Sequence, residues 1–286
     1  MSALLPGQGA AAGMTATVAE TSVWRHLPWP IRACAFYGCL ALLGVLLLGE
    51  CALSSVLSLV LPRRRRRSTG RALISGCFRL FLALSGSLGL MRLDLSALDT
   101  LNDEHGLIVA PNHPSMLDAA LVASRVRCTG CIMKAELWDN PFLGAGARLA
   151  DYVRNDSINS MIRQAAADLQ GGGKLLMFPE GTRTTKLPVN PLKGGIALIA
   201  QRAGVAIQTV LIETNSPYLG KGWPLFRMPE FPLVYRATLG PRLMPGKSSA
   251  ETLAAMQSFY SEALTDTTWL LNESFSAQAQ RGFGPL

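Results

Sequence analysis

The stretch LIVAPNHPSMLD, residues 107–118, has the pattern of a buried strand followed by a tight turn and a helix. Its first five residues are apolar, and Pro111 ends the run as a strand terminator would. Pro114 stiffens the turn, and Ser115 is a suitable cap for a helix that begins near Met116. The stretch therefore predicts one strand–turn–helix unit of an α/β fold.

Apolar runs and helical patterns alternate along the rest of the chain. The predicted strands are GLIVAP, GCIMK, DYVR, KLLMF and VAIQTVLI, which begin at residues 106, 130, 151, 174 and 205. The predicted helices are SMLDAALVAS, SINSMIRQAAADLQ, LKGGIALIAQRAG and residues 249–271. Such alternation predicts an α/β domain, with a sheet flanked by helices.

Two residues of the first stretch could carry chemistry. His113 falls in the predicted loop and Asp118 in the first helical turn, close enough for a hydrogen bond. That bond would fix the imidazole tautomer and stabilise the imidazolium that forms when His113 takes a proton from a substrate hydroxyl. In the alternative reading, Asp118 only completes an S-x-x-D capping pattern with Ser115, and His113 is a polar surface residue.

A second strand-end turn occurs in KLLMFPEGTR, residues 174–183. Gly181 allows close backbone approach, Thr182 offers a hydroxyl, and Arg183 can bind a phosphate through two parallel hydrogen bonds. Glu180 and Arg183 could instead pair with each other. In an open α/β sheet, ligands gather at the carboxyl ends of the strands, where both turns lie.

The composition indicates a protein that associates with a membrane. Hydrophobic residues make up 49% of the chain and charged residues only 16%, against about 25% in ordinary soluble domains. The net charge of +8 is concentrated in RRRRR at residues 63–67, with no basic surface interleaved with aromatics, so we expect no nucleic-acid partner. The cysteines form no disulfide framework and the histidines are too few for a metal site, so we predict a reducing, cytosol-facing environment and no metal.

Four segments follow from this pattern. Residues 1–32 are predicted to be a disordered polar tail, residues 33–71 a membrane segment with a polybasic flank, residues 72–272 the catalytic domain, and residues 273–286 a second tail. The run from Ala33 to Leu61 is long enough to cross a bilayer or to continue along its surface, and its one charge is Glu50. The arginines that follow it place the domain on the cytoplasmic face if the segment spans. If it is monotopic, they would face anionic headgroups.

These motifs resemble those of the lysophospholipid acyltransferase family. Asn112, His113 and Asp118 match its N-H-x-x-x-x-D block, and residues 178–183 match its F-P-E-G-T-R block. KAEL, which contains Lys134, and DYVRND, which contains Arg154, resemble two further blocks. The chain departs from the family where a proline is usual in the fourth block, because Thr209 stands there. That difference bears on the acyl donor.

The resemblance implies a membrane-bound O-acyltransferase of the glycerolipid acyltransferase fold. His113 would be the general base and Asp118 its orienting carboxylate. Glu180, Gly181, Thr182 and Arg183, with Arg154, would hold the acceptor's head, and backbone N–H groups near Gly181, with Lys134, would stabilise the oxyanion.

By the same resemblance, the acceptor would be 1-acyl-sn-glycerol-3-phosphate and the product phosphatidic acid. The acyl donor would be acyl-CoA or acyl carrier protein, with no bound cofactor. Three alternatives stay open: a non-phosphate acceptor such as an amino-acid lysolipid or a pigment or polyene lipid, a CoA-independent transacylase, and a non-catalytic membrane scaffold.

Overall fold

The computed structural model describes residues 23–140 and 144–265. The helices are α1 Val23–His26, α2 Trp29–Val60, α3 Arg63–Ser87, α4 Asp118–Arg125, α5 Ala135–Trp138, α6 Gly144–Leu149, α7 Ile158–Gln170, α8 Gly195–Ala203 and α9 Ser249–Thr265, with a 3-10 helix at Ser96–Asp103. The strands are β1 Met91–Asp94, β2 Leu107–Pro111, β3 Thr129–Lys134, β4 Val153–Asn155, β5 Lys174–Leu176, β6 Ala206–Thr214 and β7 Leu233–Leu243.

The predicted tails lie largely outside the described residues, which exclude residues 1–22 and 266–286. The prediction of a disordered tail up to residue 32 is wrong from residue 23 onward, because α1 and the start of α2 lie there. Pro30, in the first turn of α2, is where a helix tolerates proline best. The Trp24 ring packs on Phe231, with centroids 5.9 Å apart, which ties α1 to the domain.

The seven strands form one sheet in the order β1-β7-β6-β2-β5-β3-β4. Strands β6, β2, β5, β3 and β4 are parallel, whereas β7 runs antiparallel to β6 and parallel to β1. The α/β prediction is confirmed, and the five predicted strands correspond to β2 to β6 with small shifts at their ends. Strands β1 and β7 were not predicted, because β1 has only four residues and β7 contains Gly240 and Pro241.

The sheet is covered on both faces. Helices α2, α3 and α4 pack one face, in a core that contains Phe36, Phe81, Leu121, Leu176 and Tyr235. Helices α7, α8 and α9 pack the other face, in a core that contains Ile108, Ala165, Ile196, Ile207 and Tyr260. Because β2 and β5 have side chains in both cores, the strand-end turns that follow them are held from both sides.

Helix α2 is the candidate membrane span. Its 32 residues correspond to a length of about 48 Å, its most apolar window has a mean hydropathy of 2.2, and 11% of that window is buried. The helix packs along the domain, from Phe36 beside Tyr218 to Glu50 beside Gly146, and an apolar stripe on its outer side stays exposed. An N-terminal segment suited to a membrane is therefore joined to the domain along much of its length.

The arginine run is the first part of α3 and not a separate flank. The predicted boundary between residues 71 and 72 falls inside this helix. Arg71 is buried and donates to the carbonyls of Ala150 and Cys128 and to the Asp168 carboxylate, which also pairs with Arg67. The close fit of Gly70 against Ala150 leaves no room for a side chain, so α3 belongs to the domain from its first turns.

Candidate active site

The His113–Asp118 hydrogen bond that the spacing predicts is present. His113 Nδ1 lies 2.9 Å from Asp118 Oδ2, and 15% of the His113 side chain is exposed whereas Asp118 is fully buried. Because the carboxylate can only accept, we assign the proton to Nδ1, which leaves Nε2 as the basic nitrogen. The pair has the arrangement of a general base with its orienting group.

Asp118 begins helix α4, and its carboxylate closes the turn before it. Oδ2 also accepts from the backbone N–H of Ser115 at 2.8 Å, whereas Oδ1 is buried with no hydrogen-bond partner in the described parts of the chain. Burial raises the pKa of Asp118 to about 6, against the hydrogen bonds from His113 and Ser115, which favour the ionised form. Asp118 thus both stabilises the turn and pairs with His113, as the two interpretations of the sequence predict. The His113–Asp118 pair is here called the dyad.

Ser115 caps the turn that leads into helix α4 and not the helix itself, because its hydroxyl accepts from the Leu117 N–H at 3.2 Å. Helix α4 begins at Asp118, and no side chain caps it at Leu117. The same hydroxyl donates to the Tyr218 carbonyl at 2.9 Å, because a backbone segment from a distant part of the chain lies beside it. That hydroxyl links the turn of residues 112–117, here called the catalytic turn, to the chain that follows β6.

The imidazole of His113 is also fixed by its neighbours from β2 and β5. Its ring stacks on Phe178, with centroids 3.8 Å apart and planes 17° apart. The preceding Asn112 side chain accepts from the Ile212 N–H at 2.7 Å and donates to the Ile212 carbonyl at 3.0 Å. Phe178 and Asn112 belong to the two sequence motifs, but the motifs alone indicate no role for either residue, since only the fold shows what they contact.

Glu180 does not face an acceptor head, so that part of the prediction is wrong. Its carboxylate is buried and accepts from the His113 N–H at 2.9 Å, the Thr184 hydroxyl at 2.8 Å and the Asn190 N–H at 3.0 Å. The alternative prediction, a Glu180–Arg183 pair, is also absent from the ion pairs of the described residues. Glu180 joins the two strand-end turns, since backbone N–H groups of both converge on it.

Gly181, Thr182 and Arg183 form the turn that borders the dyad. Gly181 has φ +67°, a conformation that favours glycine, and its N–H donates to the Phe178 carbonyl at 3.0 Å. The Gly181 N–H is therefore used within the turn, so the oxyanion donors predicted near Gly181 would be N–H groups of the neighbouring residues. Thr182 is exposed, and Arg183 Nη1 donates to the carbonyls of Leu219 and Gly220 at 2.9 and 3.0 Å.

Lys134 and Arg154 lie further along the same edge of the sheet. Lys134 is exposed at the end of β3. Arg154 is on β4, the outermost strand, where it pairs with Asp139 and Asp156 at 2.7 Å each. Strand β3 separates β4 from β5, so Arg154 and Arg183 do not follow adjacent strands.

The segment of residues 215–220 completes the site, and sequence reasoning missed it. Carbonyl groups of this segment accept hydrogen bonds from the Arg183 guanidinium and the Ser115 hydroxyl. The Leu219 carbonyl also accepts from the Met116 N–H, 3.0 Å away. A side chain at position 220 would collide with the Pro217 carbonyl, so the segment needs glycine there. The sequence of the segment, NSPYLG, predicts a turn but does not indicate which residues the turn contacts.

An apolar cavity of about 400 Å³ lies beside the catalytic turn, under α2 and α3. Its lining includes Phe36, Leu43, Phe81, Leu117, Leu176 and Tyr218. Glu50 also lines it and accepts from the Ser54 hydroxyl at 2.7 Å. Such a cavity suits a hydrocarbon chain, because nearly all of its wall is apolar.

Thr209, where the family's fourth block usually has proline, lies inside β6. Its hydroxyl donates to the Pro241 carbonyl of β7 at 2.8 Å, at an irregularity in the β6–β7 pairing. The buried hydroxyl is therefore satisfied by the neighbouring strand, and the difference from the family leaves the dyad unchanged.

The mixed sheet and the helices on both of its faces define an α/β fold. The crystal structure of the 1-acyl-sn-glycerophosphate (LPA) acyltransferase PlsC from Thermotoga maritima shares this fold, with a TM-score of 0.59 and 18% sequence identity over 82% of this chain and 94% of that chain.

Two sequence comparisons match the central part of the chain. Residues 92–213 match the family model described as Acyltransferase. A lyso-ornithine lipid O-acyltransferase of Pseudomonas aeruginosa is 31% identical over 121 residues, which is 38% of this chain and 46% of that relative, so the match spans about half of the relative's length. These matches confirm the predicted resemblance to the lysophospholipid acyltransferase family over this part of the chain.

Proposed function

We propose that this protein is a membrane-bound O-acyltransferase that moves a fatty acyl group from a thioester to the free hydroxyl of a lysolipid. The observation that carries the proposal is the His113–Asp118 pair, whose imidazole lies at the carboxyl edge of the sheet beside an apolar cavity. The pair supplies a base for a hydroxyl, and the cavity supplies a place for an acyl chain.

In this mechanism Nε2 of His113 takes the proton of the acceptor hydroxyl as its oxygen attacks the thioester carbonyl carbon. The imidazolium that forms is stabilised by the ionised Asp118 carboxylate, 2.9 Å from Nδ1. Collapse of the tetrahedral intermediate breaks the carbon–sulfur bond, and the leaving thiolate takes the proton back from His113. The products are an ester and a free thiol.

The oxyanion needs preorganised donors, and the turn after Gly181 is the nearest source. Because the Gly181 N–H is used within the turn, the backbone N–H groups of Thr182 and Arg183 are the better candidates, with exposed Lys134 further along the edge. The donor would be acyl-CoA or acyl carrier protein, and no other cofactor enters the mechanism.

The first candidate acceptor is 1-acyl-sn-glycerol-3-phosphate. Arg183 supports it, since the two carbonyls hold only Nη1, and in the described residues no hydrogen bond uses its Nε or Nη2. A guanidinium fixed in this way presents a planar edge to an anion.

An amino-acid lysolipid is the second candidate. Arg154, the second guanidinium expected near a phosphate, is paired with two aspartates, and a carboxylate could use Arg183 alone. The similarity to a lyso-ornithine lipid O-acyltransferase supports the same candidate.

The membrane location is part of the proposal. The exposed apolar stripe of α2 would lie in lipid, and the exposed arginines at residues 63–65, at the start of α3, would face anionic headgroups on the cytoplasmic side. A lysolipid could then reach His113 without leaving the bilayer.

The test is an assay of membranes that contain the full chain, with both thioester donors and a panel of lysolipids. We expect ester formation with release of one free thiol per turnover, and a loss of about 10²- to 10⁴-fold with His113→Ala. His105→Ala is the matched control, because His105 is exposed and lies outside the site. Acyl transfer from a phospholipid without thiol release would identify a transacylase, and full turnover with His113→Ala would contradict the mechanism.

A further inference from the structure

The loop of residues 221–228, here called the aromatic loop, exposes large apolar side chains beside the site. Phe226 is 69% exposed and Leu225 is 46% exposed. The loop is ordered by its own turns, since Trp223 N–H donates to the Gly220 carbonyl at 3.1 Å and Arg227 N–H to the Pro224 carbonyl at 2.9 Å. Neighbouring exposed apolar side chains on an ordered loop can form part of a contact surface when they join a larger apolar patch.

The aromatic loop is continuous with the exposed apolar side of α2. The Tyr37 hydroxyl donates to the Phe226 carbonyl at 3.3 Å, so the loop and the helix meet at this point. Trp29, Ile31 and Tyr37 are exposed on the same end of α2. Phe226 therefore extends the surface that is best suited to lipid.

Charged and aromatic groups in the loop have the arrangement of a membrane interface. The Arg227 guanidinium lies 4.8 Å from the centre of the Trp223 ring, and Trp223 Nε1 donates to the Arg227 carbonyl at 3.1 Å. Lys221 and Arg227 are both exposed. Tryptophan with a nearby cation is typical of the headgroup level, where the ring contacts apolar chains and the charge contacts phosphate.

The loop connects directly to the catalytic turns. It follows Leu219 and Gly220, whose carbonyls accept from Arg183, and Tyr218, whose carbonyl accepts from Ser115. Leu225 also lines the apolar cavity. The position of the loop is thus linked to the entrance of the site.

We propose that the aromatic loop inserts Phe226 into the bilayer and holds the catalytic edge at the headgroup level. The occupant of this surface is the lipid bilayer, because the surface continues an apolar helix and carries cations beside its aromatic groups. Contact with lipid is independent of catalysis, whereas the kinetic consequence rests on the proposed function.

The direct test is photo-crosslinking of the full chain in vesicles of phosphatidylcholine and phosphatidylglycerol. A benzophenone amino acid is placed at position 226 and, in a control chain, at position 244, where Met244 is 66% exposed after β7, at the edge of the sheet opposite the site. We expect lipid adducts at position 226 and none at position 244. No lipid adduct at position 226, or equal adducts at both positions, would overturn the proposal.

The kinetic test compares Phe226→Ser with Met244→Ser on two acceptors, a long-chain lysolipid in vesicles and a short-chain lysolipid that is monomeric in solution. Burial of a phenylalanine corresponds to about a ten- to hundredfold change in partition, so Phe226→Ser should lower the rate on the vesicle acceptor by roughly tenfold or more. The rate on the monomeric acceptor should stay unchanged, and Phe226→Trp should restore the vesicle rate. Equal losses on both acceptors would show that Phe226 supports the fold and not the contact with lipid.

If no thioester and no acceptor is turned over by the unmodified chain, the proposed function fails while the photo-crosslinking result still decides whether the loop contacts lipid.

Discussion

The imidazole of His113 lies flat on the Phe178 ring, with centroids 3.8 Å apart, so residues that follow two different strands form one rigid unit. His113 follows β2 and Phe178 follows β5, and these strands are neighbours in the sheet. The Asp118 carboxylate fixes the ring at Nδ1, and Phe178 fixes the plane of the ring. These two contacts together hold the His113 ring in an orientation that suits proton transfer at Nε2.

Phe178→Leu is expected to lower kcat by about two- to tenfold, with little change in acceptor KM. Leucine keeps an apolar contact but loses the aromatic face, and aromatic pairs contribute about 0.5 to 1.5 kcal/mol beyond the area they bury. Phe178→Tyr keeps the face and should keep the rate. Steady-state kinetics on the three proteins is the measurement, and an unchanged kcat in Phe178→Leu would show that the stack has no catalytic role.

Glu180→Gln is expected to lower the free energy of unfolding by about 1 to 3 kcal/mol, the cost of leaving a buried donor unsatisfied. The new amide group would face backbone N–H groups that now donate to the carboxylate. Thermal unfolding compares it with Thr182→Val, an exposed neighbour that should leave stability unchanged. A rise in acceptor KM with normal stability would instead support contact between Glu180 and the acceptor.

Asp118 predicts opposite pH trends for stability and activity. The pKa of its buried carboxyl is raised to about 6. The contribution of Asp118 to the free energy of unfolding is therefore highest below the ordinary pKa of about 3.9, where Asp118 is protonated in both the folded and the unfolded protein. It falls by on the order of 2 to 3 kcal/mol as the pH rises through 6 and the buried carboxyl ionises. Activity needs the ionised form and should fall as the pH drops below about 6.

The measurement is the unfolding temperature and kcat/KM of the unmodified protein and of Asp118→Asn between pH 4.5 and 8. The amide does not titrate, so Asp118→Asn should lose this part of the pH dependence of stability and most of the activity. The same pH dependence of stability in both proteins would show that Asp118 is not the titrating group.

Arg183→Lys is expected to raise the KM of an anionic acceptor by about ten- to hundredfold, because a charge-assisted hydrogen bond contributes roughly 1.5 to 3 kcal/mol. Lysine keeps the charge but loses the planar fork. Arg154→Lys is the matched control and should change KM little, since Arg154 is paired with Asp139 and Asp156.

The acceptors to compare are lysophosphatidic acid, an amino-acid lysolipid and an uncharged lysolipid, with the thioester KM measured alongside. Equal losses on all three would mean that Arg183 acts through its bonds to Leu219 and Gly220 and not through the headgroup.

The strand-end turns could be predicted from sequence because their signals are local. An apolar run that ends in proline reports a buried strand and its stop, and the five-residue spacing of His113 and Asp118 is short enough to imply their hydrogen bond. The α/β class follows from the same periodicity. Strands β1 and β7 gave no comparable signal, since one is short and the other contains glycine and proline.

The partners of the other polar side chains were decided by the tertiary structure. Glu180 was predicted to bind substrate and instead accepts from His113, 67 positions away in the chain. Arg183 donates to carbonyls 36 and 37 positions further on, and Arg154 lies on the outermost strand. Sequence periodicity reports which residues are buried. Which donors a buried carboxylate or guanidinium meets depends on the backbone groups that strand order brings beside it, and these come from distant parts of the chain.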